Sequence, residues 1–313
     1  MSTKLIRGLY NNSFPQKGCV LTIGNFDGIH LGHQALIKRI KASAQELAIS
    51  SMVMTFEPQP LEYFAAEHPV PRLTRFREKF SLLSASGVDQ VCVVRFNAKI
   101  AALTAEEFIK KILCETLHVK HLIVGKDFRF GYQRQGDINM LRAAGALFNF
   151  TVEIMPDVIL AGERVSSTRV RKALGENNLA LAEGLLGRPY SMMGKVVYGN
   201  QLGRQLGFPT ANIYLHRIAT PVHGIYVVGV YGLKKKPVKG VANVGTRPTV
   251  DGTRILLEVY LFNFKQMIYG KEVTVEFYEK LREEERYANL ELLKDQMKKD
   301  AKLAKEYFKQ HAN

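Results

Sequence analysis

Five short apolar runs punctuate the first half of the chain, at 19–23 (CVLTI), 51–56 (SMVMTF), 90–96 (QVCVVRF), 121–125 (HLIVG) and 150–155 (FTVEIM). Their starts fall about 30 residues apart with helix-period stretches between them, the rhythm of βαβ units. The runs are continuous rather than alternating, as expected of parallel strands covered on both faces. After the first run, Leu36, Ile37, Ile40, Ala44 and Leu47 recur on one face of a predicted helix. The pattern predicts a doubly wound α/β domain with a parallel sheet.

Around Gly187–Pro189 the rhythm changes. Runs at 195–199, 225–232, 238–245, 255–262 and 272–281 are more closely spaced, often alternate, and are separated by Gly, Pro and Asn turns, which predicts an antiparallel β-barrel. Leu290, Leu293, Met297, Ala301, Ala304 and Phe308 follow helical spacing and predict a closing helix. The fold class is therefore α/β, with domains expected at 1–186 and 187–313.

Composition adds three constraints. No apolar run approaches the ~18 residues of a membrane span, and the start MSTKLIRGLYNNSF has no secretory pattern. Three cysteines (Cys19, Cys92 and Cys114), with no CxxC, give neither a disulfide framework nor a cysteine-rich zinc site; a cytoplasmic protein is expected. The 44 basic against 29 acidic residues leave a net charge of +15, which suits anionic partners without choosing among nucleic acid, membrane and phosphorylated small molecules.

The first strand runs into Gly24-Asn25-Phe26-Asp27-Gly28-Ile29-His30-Leu31-Gly32-His33. A loop there lies at the carboxyl edge of the sheet, where such folds bind ligands. Its glycines allow close approach of phosphate, and the helix N-terminus that follows favours negative charge. His30 and His33, three apart, can share one side of the first turn and stabilise charge as a pyrophosphate leaves; a simple helix cap is the bland alternative. No third ligand stands at a metal spacing, which disfavours a zinc pair. There is neither a P-loop nor a dinucleotide fingerprint. Late in the domain, Ser166-Ser167-Thr168-Arg169-Val170-Arg171 offers hydroxyls and guanidinium forks suited to phosphates.

GNFDGIHLGH resembles the first signature of the HxGH nucleotidyltransferases, and SSTRVR resembles their second. Thr55-Phe56-Glu57-Pro58-Gln59-Pro60 and Gly125-Lys126-Asp127-Phe128-Arg129-Phe130-Gly131 are similar to segments of the prokaryotic bifunctional riboflavin kinase/FAD synthetases, with Gln59 where the pattern has His. The resemblance implies catalytic roles for His30, His33 and Arg171. It implies ATP or phosphate contacts at Gly24, Asn25, Phe26, Gly28, Asp127, Ser166, Ser167, Thr168 and Arg169.

In the barrel half, the stretch from Gly199 through Gly203, Gly207 and Pro209 to Thr210 and Asn212 joins a glycine-rich loop to two oxygen-bearing side chains. Thr210 and Asn212, two apart on a strand, face one side and could complete a magnesium shell with ATP oxygens. The stretch resembles the riboflavin kinase signature, which implies ATP binding by Gly199, Gly203, Gly207, Pro209, Thr210 and Asn212, with Mg2+ at Thr210 and Asn212. Glu258 interrupts an apolar strand, where an unpaired carboxylate is costly to bury. It suits a general base for a hydroxyl attacking a γ-phosphate and matches the family's catalytic glutamate.

The resemblance implies phosphorylation of riboflavin to FMN and adenylylation of FMN to FAD, with small-molecule substrates and no nucleic-acid or membrane partner. A single-activity adenylyltransferase with a flavin-binding barrel, and a basic RNA-binding protein, are the alternatives.

Overall fold

The computed structural model describes residues 3–10, 14–65, 70–199, 203, 206–249 and 252–311. The chain packs as two units, residues 1–70 with 74–167 and residues 71–73 with 168–313.

The first unit is built on β1 (Lys4–Arg7), β2 (Cys19–Ile23), β3 (Ser50–Glu57), β4 (Gln90–Arg95), β5 (Val119–Gly125) and β6 (Thr151–Met155). All are parallel, in the order β1-β4-β3-β2-β5-β6. Alternate residues of β2 feed two separate cores. Cys19, Leu21 and Ile23 pack with Phe108, Ile109 and Ile112, whereas Val20 packs with Leu36, Ile37 and Ile40 of α1 (Leu31–Glu46). Each such buried aliphatic side chain contributes roughly 1.5–3 kcal/mol, which is why apolar residues in β2 point to both faces of the sheet. Leu47, expected on the buried face of α1, is its C-cap and is 51% exposed. The strand order reverses between β2 and β5, so the switch point that marks ligand sites in open α/β sheets lies beside the loop after β2. A short hairpin, β7 (Ile159–Leu160) and β8 (Glu163–Arg164), follows.

The second unit contains the helix Leu179–Leu186 and a closed six-stranded barrel. Its strands are β9 (Tyr190–Val197), β10 (Thr210–Tyr214), β11 (Gly224–Tyr231), β12 (Val238–Thr249), β13 (Gly252–Leu261) and β14 (Glu272–Arg282), in the closed order β10-β13-β12-β11-β14-β9. Every pairing is antiparallel. Ala242, Val244, Leu257, Val259 and Val275 are fully buried within it. The closing helix Leu290–Gln310 docks on the outside through Ala301 and Ala304 against Val227 and Phe262. Arg217, itself buried, donates from Nη1 to the Arg72 carbonyl at 2.5 Å and so ties the 71–73 segment to this unit. The α/β class, the parallel sheet, the barrel and the closing helix are all as the sequence predicts.

Candidate active sites

In the first unit, the loop after β2 is pinned from both sides. Gly24 N–H donates to the Met54 carbonyl at 3.1 Å, and Thr55 Oγ1 donates to the Asn25 carbonyl at 3.3 Å. The buried Asp27 carboxylate accepts from Thr74 N–H (2.9 Å) and Thr74 Oγ1 (3.2 Å), and Thr74 Oγ1 in turn accepts from Gly28 N–H at 2.9 Å. Ser167 Oγ closes the set by donating to the Asp27 carbonyl at 2.8 Å. Gly28, at φ +84°, occupies a region open mainly to glycine. The Phe26 side chain is fully buried in the core, its ring tilted against that of His33 with centroids 4.9 Å apart. Asp27 and Thr74, which hold the loop's shape, escape a sequence reading because their partnership spans 47 residues.

His30 is the N-cap of α1, its Nδ1 accepting from His33 N–H at 3.3 Å. An accepting Nδ1 leaves the proton on Nε2, so His30 presents an Nε2–H. Burial, then the His30 and Lys79 charges, push the His33 imidazole well below its ordinary range. Its Nδ1 is buried without a hydrogen-bond partner among the described residues, leaving that nitrogen for a ligand. A Cβ on Gly32 would sit 3.2 Å from the His30 ring, so the glycine of His-x-Gly-His is there for the rings to fit. Lys79 is fully buried, with Nζ 3.5 Å from Thr55 Oγ1. Nothing in its local sequence singles it out, because lysine on a helix ordinarily reads as a solvated residue.

Asp127 follows β5 at the same carboxyl edge and is ion-paired with Arg164, whose hydrogen bond holds its carboxyl below the usual range. Arg164 also binds Asp157 at 2.9 Å, and Asp157 takes Lys126 at 2.5 Å. At the ends of β3 and β4, the rings of Phe56, Tyr63, Phe64 and Phe96 meet edge to face with centroids 5.2–5.7 Å apart. Tyr63 and Phe64 are 40% and 69% exposed. Ser166 and Ser167 close the first unit, whereas Thr168, Arg169 and Arg171 belong to the second. There Arg171 Nε donates to the Pro71 carbonyl at 2.8 Å.

In the barrel, β10 and β13 pair so that Thr210 faces Tyr260 and Asn212 faces Glu258, and β12 places Asn243 opposite Glu258 on its other side. Cross-strand partners share a face, so Asn212, Glu258 and Asn243 form a row. The row lies on the outer wall, because Leu257 and Val259 fill the inside. Glu258 and Asn243 line a cavity of about 560 Å³ with Thr210 and Tyr260, which Leu290, Leu293 and Met297 of the closing helix also border. Those residues of the predicted closing helix thus border a pocket. Gly199 has a definite task here: a Cβ would fall 2.2–2.6 Å from the Asn212 amide. Gly203 accepts Phe208 N–H at 2.7 Å, and Gly207 turns the loop at φ +86° ahead of Pro209. Residues 200–202 and 204–205 of this loop lie outside the described ones. Among the described residues no cluster of three or more His, Cys, Asp or Glu side chains stands ready for a metal ion. The Thr210 hydroxyl and Asn212 carbonyl oxygens are hard donors of the kind Mg2+ takes alongside phosphates and water.

The FAD synthetase family model matches residues 13–169, and the riboflavin kinase family model matches residues 186–308. The bifunctional riboflavin kinase/FMN adenylyltransferase of Escherichia coli strain K12 is 50% identical over 306 residues, covering 97% of this chain and 98% of the relative. The chain belongs to this family. The Haemophilus influenzae enzyme of the same name is 47% identical, covering 97% of this chain and 99% of its own. A solved Streptococcus pneumoniae structure, described as a macrolide-efflux protein, shares the fold at TM-score 0.80 and 31% identity, covering 96% of this chain and 98% of that one. Among the described residues, no helix is long and apolar enough to cross a membrane.

Proposed function

We infer that the protein makes both flavin cofactors, phosphorylating riboflavin with ATP to FMN in the barrel and adenylylating FMN with ATP to FAD and pyrophosphate at the histidine loop. The reading rests on one observation above all: each half of the chain matches a separate family model and carries its own set of convergent polar groups. It disfavours the single-activity alternative, in which the barrel would have no use for a carboxylate standing between two asparagines.

In the barrel, Glu258 takes the proton of the ribityl 5′-hydroxyl as that oxygen attacks the γ-phosphorus of ATP and ADP leaves. Thr210 and Asn212 would hold Mg2+, which neutralises phosphate charge when bound. Leu293 and Met297 give that cavity an apolar side for the flavin.

At the histidine loop, a phosphate oxygen of FMN attacks the α-phosphorus of ATP and pyrophosphate departs. His30 and His33 act there as N–H donors, His33 as a neutral imidazole, while Lys79 adds a buried cationic neighbour. The exposed rings of Tyr63 and Phe64 offer the flat isoalloxazine a stacking surface at the carboxyl edge of the same sheet. Ser166 and Ser167 add phosphate contacts in the first unit, Thr168, Arg169 and Arg171 keep the phosphate-binding role that the resemblance to the second signature implies, and Asp127 orders the basic residues around it. Function divides at about residue 186, between the two matched families, and the substrates account for the net basic charge.

The test is direct. The protein is incubated with riboflavin and Mg-ATP, and the flavins are separated by chromatography. Riboflavin should pass through FMN to FAD, and the His30→Ala/His33→Ala double variant should stop at FMN. Wild-type protein that leaves riboflavin untouched would overturn the kinase half.

A further inference from the structure

Within the Glu258 row, one side-chain oxygen has no role in the reaction described above. Asn243 lies directly opposite Glu258 on β12 and lines the same cavity. Its Nδ2 donates to Glu284 Oε1 at 3.1 Å, which fixes the rotation of the amide. Its Oδ1 is then turned away from Glu284 and is buried without a hydrogen-bond partner among the described residues. A buried acceptor left unmade costs about 1–3 kcal/mol, so the arrangement makes sense where a ligand completes it.

Glu284 is itself admitted by a glycine. A Cβ on Gly245 would lie 2.4 Å from Glu284 Oε1, so any side chain there would push the carboxylate off Asn243. The backbone thus leaves room for the group that orients the amide.

Chemistry narrows the ligand. Oδ1 is an acceptor, as are phosphate oxygens, so the triphosphate of ATP cannot satisfy it. A cation could also complete it, but the Mg2+ donors Thr210 and Asn212 stand on β10, across Glu258 from Asn243. The fitting group is thus a donor beside the atom that Glu258 deprotonates, because directly opposite side chains stand ~4.5–5.5 Å apart at Cβ. A polyol chain supplies such a donor on the carbon next to its reacting hydroxyl.

Resting on the kinase reading above, we propose that Asn243, oriented by Glu284, accepts a hydrogen bond from the ribityl 4′-hydroxyl and so selects a polyol substrate while aligning its 5′-hydroxyl with Glu258. Asn212 and Asn243 then divide the two flanks of Glu258, the former serving the nucleotide side and the latter the flavin side.

The experiment crosses protein variants with substrates, using full-length wild type, Asn243→Ala, Asn243→Ser and Glu284→Gln. Initial rates of phosphorylation are measured for riboflavin and for 4′-deoxyriboflavin. Wild type should favour riboflavin by roughly tenfold in kcat/KM, the worth of one such hydrogen bond. Asn243→Ala should lose that preference while keeping its KM for ATP. Asn243→Ser, which keeps an acceptor oxygen on the strand, should retain part of it, and covers the case in which the alanine variant does not fold. Glu284→Gln should weaken it without abolishing phosphorylation. An unchanged preference in both Asn243 variants, or a loss shared equally by the two flavins, would overturn the proposal. So would a raised KM for Mg-ATP alone, which would make Asn243 a metal or nucleotide ligand. Wild-type protein inert toward riboflavin would refute the kinase reading instead, so the two failures are distinct.

Discussion

His30 and His33 stack with ring centroids 3.7 Å apart and planes 17° from parallel. Two charged imidazoles at that separation would repel, and burial disfavours a charge on His33 even more strongly. In the proposed adenylylation site His33 therefore acts as a neutral imidazole.

That pairing gives stability a pH dependence of definite sign. Unfolded His33 takes up a proton as pH falls through its ordinary value of 6.5, whereas folded His33 stays neutral until a lower pH. The unfolded chain then binds more protons, so stability falls as pH drops below that value, by at most about 1.4 kcal/mol per pH unit for one group. Urea denaturation followed by circular dichroism from about pH 7.5 to 5.5 should show this slope, and His33→Gln should flatten it. Identical slopes in both proteins would locate the effect elsewhere.

Glu258→Gln keeps the shape and hydrogen bonding of the side chain but cannot take a proton. Kinase kcat should fall about 10²–10⁴-fold, with riboflavin binding nearly unchanged and FAD formation from supplied FMN intact. Measuring both reactions on one preparation checks this, and a kinase rate within about threefold of wild type would remove Glu258 from the mechanism.

Gly199→Ala should cripple the kinase by way of Asn212. The added methyl falls on the Asn212 amide, so that side chain must swing away. We expect the KM for Mg-ATP to rise by about 10–100-fold, the usual cost of disturbing the support of a metal ligand. Titration of activity against Mg2+ at fixed ATP should reveal the shift, and adenylylation of FMN serves as the internal control.

Asp300, only 4% exposed, takes Arg282 Nε at 3.0 Å and Nη2 at 2.7 Å, joining β14 to the closing helix. Asp300→Ala leaves the guanidinium with one planar partner fewer in a largely dry setting. Breaking such a pair typically costs ~3–5 kcal/mol, so the thermal transition of the second unit should move down while that of the first stays put. Differential scanning calorimetry would show the two behaviours separately.

The parts legible in the sequence are those with local causes. Strands buried on both faces appear as unbroken apolar runs, and 19–23 coincides with β2 residue for residue. Glu258 stood out because a carboxylate in an apolar strand is costly unless it has a task. Edge strand β1 stayed hidden, since Lys4–Arg7 contains one buried residue and presents no periodicity to read. Also invisible were arrangements made by distant segments: the Asp27–Thr74 clamp, the burial of Lys79, and the turning of Asn243 by Glu284 across 41 residues. Leu290, Leu293 and Met297 carried a correct helical period, but period alone does not say whether an apolar face meets a core or borders a pocket.

Placing the pocket on the outside of a closed barrel sorts the positions of β13 by parity. Odd-numbered residues 255, 257, 259 and 261 are buried in the wall, whereas even-numbered 256, 258 and 260 line the cavity. Closure also occupies the strands' hydrogen-bonding groups with one another, leaving recognition to side chains. Substrate preference and thermal endurance are thereby written in alternate letters of one strand, so that either can be revised by mutation while the other is left as it was.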